Sequence, residues 1–114
     1  MAYNDDAVSL GFTVGVALEP FADILSLQTD KATYYVGDTM SVQVFLKNTG
    51  AAVGTLYYRI RIIEIVGADA YEVVAWKTGS STSVAVGGTP QGAAAFPIGN
   101  WVGKALFIEA EAGH

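Results

Sequence analysis

The chain has 114 residues, 52% hydrophobic and only 15% charged, with a net charge of −5 and no cysteine. That length holds one core and not two, and the absence of thiols excludes disulfides and thiolate metal sites. An acidic chain with no basic stripe has nothing to displace counterions from nucleic acid, and an anionic membrane is disfavoured for the same reason.

Charge well below the usual level of about a quarter implies a surface of small polar residues, or an apolar one covered by a partner. Met1 to Asp6 is acidic and no uninterrupted apolar core follows, so no signal peptide is expected. No run approaches the ~18 consecutive apolar residues of a membrane span.

Residues 1–6 are polar. From Val8 to Leu18 the pattern alternates strictly: Val8, Leu10, Phe12, Val14, Val16 and Leu18 share one face, and Ser9, Gly11, Thr13, Gly15 and Ala17 the other. This is the period of a strand. Burying the six large side chains yields about 9–18 kcal/mol at ~1.5–3 each, whereas ordering the backbone costs about 11–22 kcal/mol at ~1–2 per residue. Alone the segment does not hold, so it needs a hydrogen-bonded neighbour in its own sheet or in another molecule's. Residues 1–21 are therefore expected to form an arm or extra strand for pairing with a subunit or partner, ahead of a sandwich spanning 22–114.

Glu19-Pro20 interrupts the pattern, since Pro is poorly tolerated inside a sheet. Ile24–Thr29 predicts a strand, with Ile24 in phase with Ser26 and Leu25 with Leu27. After a bend at Asp30–Thr33 comes the most readable stretch, Thr33–Gly50. A turn at Val36-Gly37-Asp38 leads into Met40, Val42, Val44 and Leu46 alternating with Ser41, Gln43, Phe45 and Lys47, and Asn48-Thr49-Gly50 closes it. Further strands are predicted at Leu56–Val66, Tyr71–Lys77, Ser83–Val86, Ala93–Ile98 and Trp101–Glu111. The total is about eight, with turns every eight to twelve residues and no helical period. That is the pattern of an antiparallel β-sandwich.

Thr29-Asp30-Lys31, Tyr35-Val36-Gly37-Asp38, the alternating strand and Asn48-Thr49-Gly50 together resemble a widespread immunoglobulin-like motif. They are similar to bacterial and archaeal immunoglobulin-like modules, to macroglobulin-type domains and to the bacterial intracellular proteinase inhibitor. Phe96-Pro97-Ile98 and Trp101–Leu106 resemble the paired final strands of those domains. The resemblance covers about residues 22–110; where such domains have Tyr after the Gly of the last strand, this chain has Lys104 and Ala105. It implies an all-β, antiparallel immunoglobulin-like β-sandwich carrying an additional N-terminal strand or arm, and it implies little about function, because that fold hosts many roles.

Within the motif, Gly37 supplies a positive φ, Asp38 can accept a backbone N–H, and Tyr35 is expected to pack inward with its hydroxyl on a backbone partner.

Candidate chemistry is sparse. Asp30, Asp38 and Asp69 lack the regular spacing of a calcium loop and read better as turn caps. Glu64, Glu109 and Glu111 could form a carboxylate pair, but a solvated face with cross-strand pairing to Arg59 or Arg61 is the simpler reading. His114, the single histidine, is the last residue and cannot anchor a triad. No catalytic residue, metal ligand or cofactor site is assigned. Tyr57, Tyr58, Tyr71, Trp76 and Trp101 could form a sugar platform or simply sandwich core.

Interface residues are expected in two places: the row Val8, Leu10, Phe12, Val14, Val16 and Leu18, and the face carrying Tyr57, Arg59 and Arg61, residue types that concentrate at protein interfaces. The expected function is that of a non-enzymatic structural or assembly protein. It would be a virion-associated protein (decoration, accessory capsid or tail) at the particle surface that binds its own or other protein subunits as a homo-oligomer through strand pairing. The alternatives are a cell-surface or secreted adhesion or carbohydrate-binding module, and a protease inhibitor presenting the loop Gly87–Gly92 or Thr49–Gly54.

Overall fold

The computed structural model describes residues 5–14 and 18–114. Among these residues six strands form two three-stranded antiparallel sheets: β1 (Ala22–Thr29), β2 (Thr39–Asn48) and β5 (Gln91–Pro97) in one, in the order β1-β2-β5, and β3 (Gly54–Val66), β4 (Asp69–Val84) and β6 (Leu106–Gly113) in the other, in the order β4-β3-β6. The sheets pack as a sandwich, with β1 facing β6 along one side and β4 facing β5 along the other.

Alternation builds the core. Met40, Val42, Val44 and Leu46 of β2 all point inward and are buried, against Leu56, Ile60 and Ile62 of β3, Phe96 of β5 and Val84 of β4. In β1 the phase changes. A bulge between Ile24 and Ser26 adds a residue, so Ile24 and Leu27 both pack on the core while Leu25 stays exposed. Strict alternation would have put Ile24 with Ser26; one extra residue re-aims every side chain after it.

The expected strand Tyr71–Lys77 and the first half of the expected Ser83–Val86 belong to the single long β4, while Ala85 and Val86 lie past its end. Its small middle, Gly79-Ser80-Ser81, stays in register opposite Tyr58, Tyr57 and Leu56. The last strand starts at Leu106 and not at Trp101, because Gly103 takes φ +78° in a turn where the Lys104 N–H bonds the Trp101 carbonyl.

The turn before β2 is built mostly as the sequence indicates. Gly37 has φ +91°, and the Asp38 carboxylate accepts the Tyr35 N–H at 2.9 Å. Tyr35 itself is 73% exposed, so the inward tyrosine is its neighbour Tyr34. The Tyr34 hydroxyl accepts the Lys31 N–H at 2.9 Å and donates to Asp30, whose same oxygen accepts the Ser41 N–H at 3.0 Å. The Tyr34 hydroxyl, then the Ser41 amide, hold the Asp30 carboxyl below the usual carboxylate range.

Candidate functional site

The segment before β1 splits into a fixed root and an unseated arm. At the root, the Glu19 carbonyl accepts the Ala51 N–H at 2.8 Å and the Phe21 carbonyl accepts the Thr49 N–H at 2.9 Å. These bonds carry the β1–β2 pairing on past Ala22, so Glu19–Phe21 continues the line of β1. The fit is close: a Cβ on Gly50 would lie 2.3 Å from the Glu19 carbonyl oxygen, and one on Gly54 would lie 2.5 Å from the Pro20 ring.

Asn48 organises this end. Fully buried, its side chain accepts the Phe21 N–H at 3.2 Å and the Gly50 N–H at 3.0 Å. It also donates to the Ala52 carbonyl at 2.9 Å and to the Val84 carbonyl at 3.0 Å. One amide thus ties β1, the β2–β3 loop and the end of β4.

Beyond the root the picture reverses. Val8, Leu10, Phe12 and Val14 are 92%, 92%, 88% and 83% exposed, and Leu18 is 72% exposed. No strand forms between residues 5 and 14; the expected alternation has no partner within the chain's own sheets. Val16, expected in the same row, lies outside the described residues. A contiguous row of this size is what a chain hides against something else.

The two sides of the sandwich differ. The β4–β5 side is closed by Tyr58, whose ring lies against Gly79 and Gly92, where an added Cβ would come within 2.3 Å of it. Its hydroxyl accepts the Ala93 N–H at 3.2 Å and donates to the Ala93 carbonyl at 3.4 Å. Lys77 reinforces the closure, its ammonium bonding the Ala95 carbonyl and lying 4.8 Å from the Phe96 ring centroid.

The β1–β6 side is open at one end. At the end near Thr29 and Leu106 it holds a cleft of about 570 Å³ lined by Tyr34, Met40, Ile62, Trp101, Leu106 and Ile108. Along it, Leu106, Ile108, Ala110 and Ala112 of β6 pack on the core yet stay only partly buried. Among the described residues β6 pairs with β3 alone, so its other edge is free of them. At the far end, His114 stands 6.1 Å from the Phe21 ring and 3.3 Å from the Glu19 carboxylate.

The outer face of the β4-β3-β6 sheet gathers the other predicted residues. Arg59 and Arg61 both lie over Trp76 of β4, at 4.2 and 4.4 Å from its ring centroid. Arg59 pairs with Glu111 at 2.5 Å, and Arg61 bridges Glu72 at 3.0 Å and Glu109 at 2.9 Å. The cross-strand pairing expected from the sequence is therefore present, as register dictates: Arg59 stands opposite Glu111 and Arg61 opposite Glu109. The Glu72 hydrogen bond, partly opposed by desolvation, raises the Arg61 pKa above its ordinary value. Tyr57 is exposed beside them.

The aromatics do not form one platform. Tyr58 is between the sheets, Trp76 is under the arginines, and Trp101 lies against Gly99 in a loop. Both candidate inhibitor loops are held in part: residues 49–51 by the root, and Gly87–Pro90 by backbone bonds to Leu46 and Asn48.

Sequence reasoning missed Asn48 as a buried hub, Tyr58 as a latch and the free edge of β6. Gly79 and Gly92 were the available signal for Tyr58, since an in-strand glycine marks a close approach.

Fold and site together define an all-β chain of two antiparallel sheets packed as a sandwich, carrying an exposed apolar N-terminal arm. Comparison with protein-family models, with curated proteins and with solved structures gave no match.

Proposed function

We propose that this chain is a non-enzymatic assembly protein, virion-associated as a decoration, accessory capsid or tail component, which joins protein subunits through its arm and displays the sandwich at the particle surface. The observation that carries the reading is the row Val8, Leu10, Phe12 and Val14, each at least 83% exposed. Leaving such side chains in water forgoes about 1.5–3 kcal/mol apiece, an expense a lone molecule has no reason to maintain. The alternating period suits strand pairing in particular, where backbone bonds give affinity and one side-chain row gives specificity.

The finer fold reading belongs to the same proposal: the sandwich is immunoglobulin-like. In support, the first, second and fifth strands share one sheet and the third and sixth the other, as in that architecture, although β4 here joins β3 and the described residues hold no seventh strand. The Tyr57–Arg59–Arg61 face is a second contact surface, prearranged by Trp76 and the acidic residues around it.

Sedimentation velocity of the full chain over a range of concentrations tests the proposal. The parent chain is expected to sediment as assemblies, and a variant with serine at Val8, Leu10, Phe12 and Val14 as a monomer. A parent chain that stays monodisperse and monomeric overturns the reading.

A further inference from the structure

Resting on the reading of the chain as an assembly protein, we propose that the arm's partner is a second copy of this chain, and that its seat is the free edge of β6 above the open β1–β6 side. The arm would enter antiparallel to β6 and join copies head to tail.

Three observations select the seat. The β4–β5 side is latched by Tyr58 and Lys77, whereas the β1–β6 side exposes part of its core. β6 is an edge strand whose unpaired backbone groups can accept another strand. The side chains match in number, period and polarity. With Val14 opposite Leu106, the antiparallel register sets Phe12 against Ile108, Leu10 against Ala110 and Val8 against Ala112, all on the core side. The opposite row, Ser9, Gly11 and Thr13, then falls beside Phe107, Glu109 and Glu111 on the outer face. It carries no charge to oppose those carboxylates, and a one-residue slip would turn the apolar row out to water.

Direction follows from the root. β1 runs from the Asn48 end of the sandwich to the Thr29 end, and β6 runs back from Leu106 to the Asn48 end. The arm leaves at the Asn48 end in line with β1. Returned onto its own β6, it would have to reverse at Glu19–Phe21, which the bonds to Thr49 and Ala51 hold extended, and it would then run parallel to β6. Two copies swapping arms reciprocally would also pair parallel. A copy stacked end on end delivers its arm through the cleft at the Thr29–Leu106 end, antiparallel, as every other pairing in this fold is. Antiparallel bonds are also the better aligned.

The chain has no cysteine, so single-cysteine variants of the full chain test this cleanly. Ser9→Cys or Thr13→Cys is mixed with Phe107→Cys, Glu109→Cys or Glu111→Cys, oxidised, and the linked peptides are identified by mass spectrometry. Facing residues stand ~5 Å apart between Cα atoms, within the ~7 Å reach of a disulfide, and positions four residues out of register do not.

The expected result is that moving the arm cysteine from Ser9 to Thr13 moves the favoured partner from Glu111 toward Phe107. The reverse trend means parallel pairing and overturns the proposal. So does a link formed within one monomer carrying both Thr13→Cys and Phe107→Cys. If the chain sediments as assemblies but its arm links only to a control cysteine at Ala95 on the β4–β5 side, the seat is wrong while the assembly reading stands. A monomeric chain without intermolecular links overturns both.

Discussion

Replacing Asn48 with alanine removes four hydrogen bonds at once and leaves the Phe21 and Gly50 amides and the Ala52 and Val84 carbonyls without their partner. The bond to Val84 is buried and the other three are partly buried. Stranding the Val84 carbonyl costs about 1–3 kcal/mol, and the three groups that water can reach cost about 0.5–1 each, so the sum is about 2.5–6 kcal/mol. For a domain of this size that lowers the Tm by roughly 10–24 °C, at ~4 °C per kcal/mol. Urea titrations followed by the fluorescence of Trp76 and Trp101, with calorimetry alongside, measure both quantities. Asn48→Asp separates hydrogen bonding from volume. It keeps the two acceptor contacts but turns an oxygen toward the Ala52 and Val84 carbonyls. Its deficit relative to the parent is therefore largest at neutral pH and narrows in acid, where a protonated carboxyl donates again. An alanine variant within about 1 kcal/mol of the parent, with unchanged exchange rates at the Thr49 and Ala51 amides, would refute the account of Asn48 as the tie at this end.

Gly92→Ala drives a methyl into the Tyr58 ring and destabilises by about 1–3 kcal/mol, read by the same titration. Gly79→Ala meets the same ring from the other sheet, and the double variant costs less than the sum because one displaced ring relieves both clashes. Trp76→Ala removes the surface under both guanidinium groups and costs about 1–2 kcal/mol. Adding salt changes that difference little, since the lost contact is not an ion pair. Asp30 sets an acid limit. Because its folded pKa is lowered by Tyr34 and Ser41, the stability it contributes is fully present above the ordinary Asp value of about 3.9. That stability is lost as pH falls through the lower folded value. Stability measured from neutral pH down to that range should fall less steeply in Asp30→Asn, and equal slopes would contradict the assignment.

How much of this was legible in the residues depends on how local the cause was. The β2 strand and the Gly37-Asp38 turn were readable because alternation, a positive φ and a side-chain acceptor are properties of neighbouring residues. The Arg–Glu pairs were readable because a shared face and opposite charge suffice to suggest them. The bulge at Leu25 was not, since nothing in ADILSLQT distinguishes one extra residue from a uniform strand until β2 is laid beside it. Tyr34 replaced Tyr35 for the same reason: two adjacent tyrosines differ only in the face they turn to Asp30. The small residues of β4 read as a break because Gly and Ser are poor strand formers, and the ring of Tyr58, which needs them small, comes from another strand. Asn48 read as a turn residue because its buried environment is assembled from residues distant in sequence.

The root of the arm, in line with β1 and fastened by the Thr49 and Ala51 amides, also determines how the chain would bear tension. A pull on the arm runs along β1, so the bonds joining β1 to β2 are loaded together in shear and do not open one after another as a peeled hairpin does. Seven residue pairs hold that interface from Ala22 to Thr29, and the root adds to them at the end where force enters. Rupture then requires many bonds to fail in a single event, which raises the force needed without altering equilibrium stability. Were the arm joined through a flexible turn at residues 19–21, the same strand inventory would unzip from one end at a much lower load.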